Sequence, residues 1–526
     1  MTVLNKRASG ILLHVTSLPS LFGTGDMGPE AYAFIDFLKK AGQSFWQILP
    51  LNPVSSQKKF SPYASYSAFG SNTLLISPIK LYADGFLNKK DFEDSGQSKA
   101  LKKFETGSSD RQKNKYVYAD YKKASALKDF LFERAFENFI KKPSGARSGF
   151  EDFVDKNSSW LNNHSRFKAF YDYFRQKTGA GSWIKWTQQI SINLQKETEC
   201  LANKLKIEIS KERFLQYIFH SQWNQLKKYA NDNLLKIIGD LPIYIDHNSA
   251  DVWAFPEIFK LDKKGMPAFL AGVPPDYFSS TGQLWKNPVY NWDALKNSGF
   301  SWWIKRMEHN FAMLDIVRID HFRGFIAYWE VPSSCRTAVN GKWVKAYPYE
   351  FFGTLKEKFG DIPVIAENLG VITEDVENAM KYFDFPGIKV LQFAFGSDYP
   401  HSDSLPGNIG PENVLYTGTH DNNTSRGWFE DEASDDEKRN ISDFISGPVS
   451  PDLISDVFIE IAMSSEAKLS IIPMQDFMGL DSRARMNHPG TTSQNWKWQT
   501  DGEMFSDSLA AKILKITVEY GRAQLR

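Results

Sequence analysis

In the stretch DIVRIDHFRGF, residues 315–325, the ionisable side chains Arg318, Asp320, His321 and Arg323 follow closely on the apolar residues Ile316, Val317 and Ile319. Such groups are seldom buried unless they are paired or do chemistry. Two further carboxylates hold comparable places, Glu367 in PVIAENLG and Asp421 in VLYTGTHD, each at the C-terminal end of its apolar run. Brought into one cavity, three carboxylates could cut or exchange a glycosidic bond. One would attack the anomeric carbon; a second would protonate the leaving oxygen and then deprotonate the incoming hydroxyl. The third could hold sugar hydroxyls as the ring flattens. Arg318, two residues before Asp320, would favour its ionised, nucleophilic form. Neighbouring negative charge would raise the pKa of Glu367, as an acid requires. A single carboxylate at a strand end serves most simply as a cap or surface ion pair; three together favour a site.

Positioning them calls for strands. Short apolar runs rich in β-branched residues recur at 11–16, 45–51, 236–245, 314–322, 363–370, 388–395, 414–421 and 470–476. Helical patterns lie between them, such as PEAYAFIDFLKKAG with Pro29 near its start and Gly42 after its end. Another is KERFLQYIFHSQWNQLKKYANDN, for which Ser210 is a plausible N-cap. Eight strands alternating with helices predict an α/β fold, a (β/α)₈ TIM barrel whose chemistry sits at the C-terminal strand ends. Arg318 and Asp320 share one face there by period-two alternation. An open doubly wound sheet is the competing arrangement.

The stretch between residues 51 and 236 is too long for one barrel connection. Within it Leu127, Leu131, Ala135 and Phe139, then Phe167, Phe170, Tyr171 and Phe174, recur at helical spacing. KKPSGARSG and KTGAGS read as internal turns. We therefore expect a first part of the barrel over 1–84, a mainly helical insertion over 85–200, and the rest of the barrel with loop subdomains over 201–526.

Composition excludes several classes. The chain has 526 residues, 63 basic against 62 acidic, so a nucleic-acid partner is unsupported. Its two cysteines, Cys200 and Cys335, are far apart in sequence and speak against a disulfide framework or a thiolate zinc site. No apolar stretch approaches the roughly 20 residues of a membrane span. The N-terminal apolar run is broken by His14 and Pro19, and a cytoplasmic protein is expected. GTGDMG, at 23–28, fits a dinucleotide-binding glycine pattern, but SLPSLF separates it from the preceding strand and the next run ends without an acidic residue. Walker A and G-x-S-x-G sequences are missing, and the histidines lack H-x-x-x-H spacing.

Longer stretches carry a resemblance. GILLHVTSLPS, WQILPLNP, SPYASYSAFGSN, GDLPIYIDHNSADVWA and AGVPPDYFSSTGQLWKNPVYNW, then VRIDHFRGFIAYWEVP, AENLGVIT, PGIKVLQFAF, YTGTHDNNT and ARMNHPGTTSQNW, resemble the 4-alpha-glucanotransferases (amylomaltases, disproportionating enzymes) of glycoside hydrolase family 77. The similarity is dense over 7–80 and 236–498 and weak in the helical insertion. It implies that Asp320 is the nucleophile, Glu367 the acid/base and Asp421 the transition-state stabiliser. It further implies glucan contacts from Tyr63, Arg318, His321, His420 and Asn495. Asp276, Tyr277, Phe278, Gln283 and Trp285 would belong to a loop, 272–288, that covers the acceptor. The implied partners are alpha-1,4-glucans and maltooligosaccharides, with no metal and no cofactor, calcium included. The chain departs from the family pattern at Asn368, Asn423, Asp246, Asn248 and Gln499, which could alter hydrogen bonds around the carboxylates. Hydrolysis needs the same three carboxylates as transfer, so an alpha-1,4-glucan hydrolase is the alternative, and a weakly catalytic glucan-binding protein a third.

Overall fold

The computed structural model describes residues 6–106, 116–186, 195–275 and 279–524. Eight strands form a closed barrel: β1 (Ala8–Leu12), β2 (Phe45–Ile48), β3 (Lys236–Pro242), β4 (Ile316–Asp320), β5 (Val364–Ala366), β6 (Gly387–Val390), β7 (Asn413–Tyr416) and β8 (Leu469–Pro473). Every neighbouring pair is parallel, and β8 pairs with β1, which rules out the open sheet. Each strand falls within or beside one of the eight apolar runs. The strands are buried on both faces, so they read as continuous apolar runs instead of alternating ones.

The runs overstate the strands at their C-terminal ends. β1 stops at Leu12, where His14 turns inward and its Nδ1 accepts from the Leu49 N–H at 3.2 Å. β7 stops at Tyr416, so Asp421 lies on the following loop and not on the strand end itself. Loop residues at the barrel mouth are buried like the strands they continue, and the sequence pattern alone does not separate the two.

Helix Pro29–Lys40 begins at Pro29 as the sequence suggests. The long helix before β3 spans Lys206–Asp232, so Ser210 lies inside it and is not its N-cap. Leu205 and Ile209 are buried, and their packing extends the helix beyond the polar start signal. Between β2 and that helix the described residues include the helices Tyr121–Ile140, Ser148–Lys156 and Ser158–Thr178, with shorter ones on either side. Leu131, Ala135, Phe139, Phe167, Phe170 and Phe174 are buried. An antiparallel sheet of Gln283–Pro288, Phe269–Val273, Ala327–Pro332 and Lys342–Lys345, in that order, is built from the connections after β3 and β4. No helix among the described residues is long and apolar enough to cross a membrane.

The glycines of GTGDMG serve packing. Gly25 donates its N–H to the Thr16 carbonyl at 3.1 Å. A Cβ there would stand 2.1 Å from the Val15 oxygen and 2.7 Å from the Leu18 oxygen. Asp26 beside it takes the buried ammonium of Lys128 at 3.0 Å. Gly25→Ala should therefore force the 15–18 turn off the barrel rim and destabilise the protein by ~3 kcal/mol. The thermal unfolding midpoint measures this; an unchanged midpoint would show that the turn yields freely.

Candidate active site

The site is assembled where β3, β4 and β5 end side by side. Asp240 pairs in register with Arg318 and Pro242 with Asp320, while Ile319 pairs with Ala366. Glu367, the next residue, donates its N–H to the Ile319 carbonyl at 3.0 Å and is thereby level with Asp320. β6 lies between β5 and β7, so Asp421 reaches the group from farther round the mouth.

Arg318 is almost fully buried, and its Nη1 lies 2.7 and 2.6 Å from the two oxygens of Asp240 but 3.3 Å from Asp320 Oδ1. The sequence reading gave the guanidinium to Asp320; in the fold Asp240 takes most of it. The Asp320 carboxyl is consequently pushed well above the ordinary range, by burial first and then by Asp240, with Arg318 opposing. Glu367 is also raised, chiefly by burial. Arg318 and two backbone hydrogen bonds work against that rise: His321 N–H donates to Oε2 and Leu369 N–H to Oε1, both at 2.7 Å. His321 can aim its N–H this way because its backbone is left-handed, φ 53° and ψ 55°, an uncommon conformation for a side-chain-bearing residue.

Asp421 is held from outside the barrel. Asn487 Nδ2 donates to its Oδ1 at 2.6 Å, and Arg485 Nη2 to its carbonyl at 2.9 Å. His420 Nε2 lies 3.4 Å from Oδ1. The His420 ring stacks on Tyr63 with centroids 5.0 Å apart, and the Tyr63 hydroxyl donates to Asp240 at 2.6 Å. Burial lowers the pKa of His420, and lowers that of His321 to about 4, so both rings are neutral near pH 7. His420 Nδ1 and His321 Nε2 are buried without a hydrogen-bond partner among the described residues. Trp285 sets its ring edgewise on His321 at 4.8 Å and donates to Gln283 Oε1 at 3.1 Å.

The fold thus gathers Tyr63, Arg318, Asp320, His321, Glu367, His420 and Asp421, with Trp285 and Gln283 against the His321 side. Asn495 instead ties its own loop, accepting from His488 N–H at 3.1 Å and donating to the Thr491 carbonyl at 3.2 Å. Asp276, Tyr277 and Phe278 lie outside the described residues. Sequence reasoning missed Asp240, Asn487 and Trp496, the last packed on Tyr63 at 5.5 Å. An aspartate inside the apolar run KIIGDLPIYI was a usable signal for the first; the other two depend on long-range contacts.

The departures from the family pattern are each accommodated. Asn368 Oδ1 accepts from the Ile388 N–H at 2.8 Å, as a carboxylate would. Asn423 Nδ2 donates to Glu432 and to Ser482, both at 3.0 Å. Asp246 accepts from Asn248 N–H at 2.8 Å, and Asn248 Nδ2 donates to the Gly181 carbonyl at 2.7 Å. Gln499 Nε2 donates to the Thr16 and Leu18 carbonyls at 2.9 and 3.1 Å.

The sequence model of glycoside hydrolase family 77, described as 4-alpha-glucanotransferase, matches residues 13–504. The chain belongs to this family. It is 45% identical over 524 residues to a 4-alpha-glucanotransferase from Synechocystis, covering 99% of each chain. With a 4-alpha-glucanotransferase of Aquifex aeolicus it shares 42% identity over 493 residues, 94% of this chain and 95% of that one. Its fold matches the amylomaltase from Streptococcus agalactiae solved in complex with acarbose, with a TM-score of 0.90 and 37% identity over 99% and 100% of the two chains.

In this family member the charge on Asp240 adds to the effect of burial on its neighbours. Asp240→Asn removes an anion that raises both Asp320 and Glu367, and returns the guanidinium of Arg318 to Asp320. Both carboxyls should then titrate at lower pH, followed by the resonances of carbon-13-labelled carboxyl groups. A shift of either to higher pH would contradict the charge assignment.

Proposed function

We propose that the protein is a retaining 4-alpha-glucanotransferase, passing a segment of a 1,4-alpha-D-glucan to the 4-hydroxyl of an acceptor glucan or glucose. The observation that carries the assignment of roles is the grouping of Asp320, Glu367 and Asp421 at the mouth of a barrel of this family. Asp320 attacks the anomeric carbon; the glycosidic C1–O4 bond breaks, its electron pair going to O4, and Glu367 delivers its proton there. The glycosyl segment remains on Asp320 as an ester. An acceptor 4-hydroxyl, deprotonated by Glu367, then attacks the same carbon and releases Asp320. Two inversions retain the configuration.

The two steps need one proton on the Asp320–Glu367 pair, and they need it on Glu367. Mutual repulsion favours holding a single proton between two nearby carboxyls. Asp421 stabilises the flattened sugar by accepting from its hydroxyls, and the neutral His321 and His420 offer further hydrogen bonds to the same ring. Tyr63 supplies a flat, amphipathic face for it. Asn495, on the rim loop, contributes a further glucan contact. Gln283 and Trp285 belong to the acceptor cover; the contact of Trp285 with His321 supports this reading. The described residues between 85 and 200 form a largely helical insertion in the barrel. Both cysteines are unpaired, in keeping with a reducing cytoplasm.

Incubation with maltotriose tests the reaction. Longer oligosaccharides and glucose should form while reducing ends stay constant, and Asp320→Asn should lower the rate at least about a thousandfold. Reducing ends that rise without longer products would instead make the protein a hydrolase.

A further inference from the structure

Tyr63 stands on an irregular segment, residues 61–72, that neither a strand nor a helix fixes. Its ring nevertheless has closely defined surroundings: His420 on one side, Trp496 near it, and a hydroxyl bond to Asp240. The segment is gripped from the helices that precede β3. Gln216, buried on helix Lys206–Asp232, holds Ser71 at both ends of its backbone. Its Oε1 accepts from Ser71 N–H at 2.8 Å and its Nε2 donates to the Ser71 carbonyl at 3.1 Å. The same Nε2 donates to Glu212 Oε1 at 2.9 Å, and that oxygen also meets His164 Nε2 at 2.9 Å. His164, on helix Ser158–Thr178, lies flat on Tyr66, and its ring fills the space a Cβ on Gly70 would need. Gln216, Glu212 and His164 are all buried, so this chain of hydrogen bonds is shielded from water.

A second grip comes from helix Tyr121–Ile140. The Tyr121 hydroxyl donates to the Trp496 carbonyl at 2.7 Å, and its ring stacks on Phe60 at 4.7 Å. The short strand Val117–Tyr118 pairs with Trp498–Gln499 beside it. The helices therefore hold Tyr63 through the chain on either side of it and through the indole against its ring.

We propose that Gln216 and Tyr121 are positioning residues for the transfer reaction, and that the helices inserted before β3 act as a brace fixing the Tyr63 ring at the mouth of the barrel. The inference rests on the reading of Tyr63 as the platform for the sugar. The brace touches no reacting atom; it restricts where the ring can stand, and small displacements of a substrate-positioning group are costly.

The test combines a double-mutant cycle with a direct probe of the ring. Gln216→Ala should lower kcat/KM for maltotriose about tenfold. Tyr121→Phe, which removes one hydroxyl and keeps the stacked ring, should act in the same direction. In a Tyr63→Ala background neither should cost anything further, because the group they position is gone. 3-Fluorotyrosine placed at residue 63 reports the ring directly, since its fluorine resonance depends on the stacked His420 and Trp496. That resonance should shift or broaden in both variants. A resonance unmoved in both overturns the brace, as do equal losses with and without the Tyr63 ring. A resonance that moves while Tyr63→Ala leaves transfer intact upholds the brace and overturns the reading of Tyr63 as the sugar platform.

Discussion

The buried pair of Arg318 and Asp240 is the constraint on which the site depends. Each ion taken out of water costs several kcal/mol unless its partner and its remaining hydrogen bonds are well placed. Here the geometry is supplied by the barrel, which sets the two residues in register on neighbouring strands. The remaining capacity of Asp240 goes to the Tyr63 hydroxyl. One ion pair thus fixes the ends of β3 and β4, ties the irregular segment that carries Tyr63 to them, and leaves Asp320 only a longer contact with the guanidinium. Removing Arg318 would leave the buried Asp240 carboxylate without its cation.

The same pair decides the electrostatic character of the cup. Arg318 faces Asp240, Asp320 and Glu367, with Asp421 farther round the mouth, and its charge is largely committed to the first. The remaining carboxyls give the cup an excess of negative charge even with one proton on the Asp320–Glu367 pair. A glycosyl group passing through an oxocarbenium-like state is positive at the anomeric centre, and preorganised negative charge stabilises it without reorganisation. Burial first, and this crowding after it, raises both carboxyls. An arginine shared equally with Asp320 would weaken both effects.

The barrel was legible because buried parallel strands leave apolar runs, and each of the eight runs overlaps a strand. The reading failed where packing overruled local signals. Ser210 has the chemistry of a cap, yet Leu205 and Ile209 carry the helix past it. Asp421 closes the stretch VLYTGTHD, yet the strand ends at Tyr416 and the buried residues 417–420 form the loop that carries it. Arg318, Asp320 and Glu367 were found because they interrupt apolar sequence, although Asp240, which does so too, was not. The ion pair was not found either, because Asp240 and Arg318 are 78 positions apart and only the register of two strands brings them together. For the same reason the side-chain support of Asp421 by Asn487 left no local trace.

Asn423 shows how far a change of residue can spread through such a site. Its amide donates to Glu432, and Glu432 also accepts from Arg485 at 2.5 Å. Arg485 in turn holds the carbonyl of Asp421. A carboxylate at 423 would face Glu432 without a proton to offer, and the repulsion would compete for Arg485. The amide removes that conflict: it is a neutral donor where the neighbouring acid needs one, and Arg485 stays on the Asp421 loop. Ser482, which accepts from the same amide, completes the arrangement. The departure from the family pattern at this position is therefore matched by its own surroundings, and the placement of Asp421 does not require an aspartate at 423.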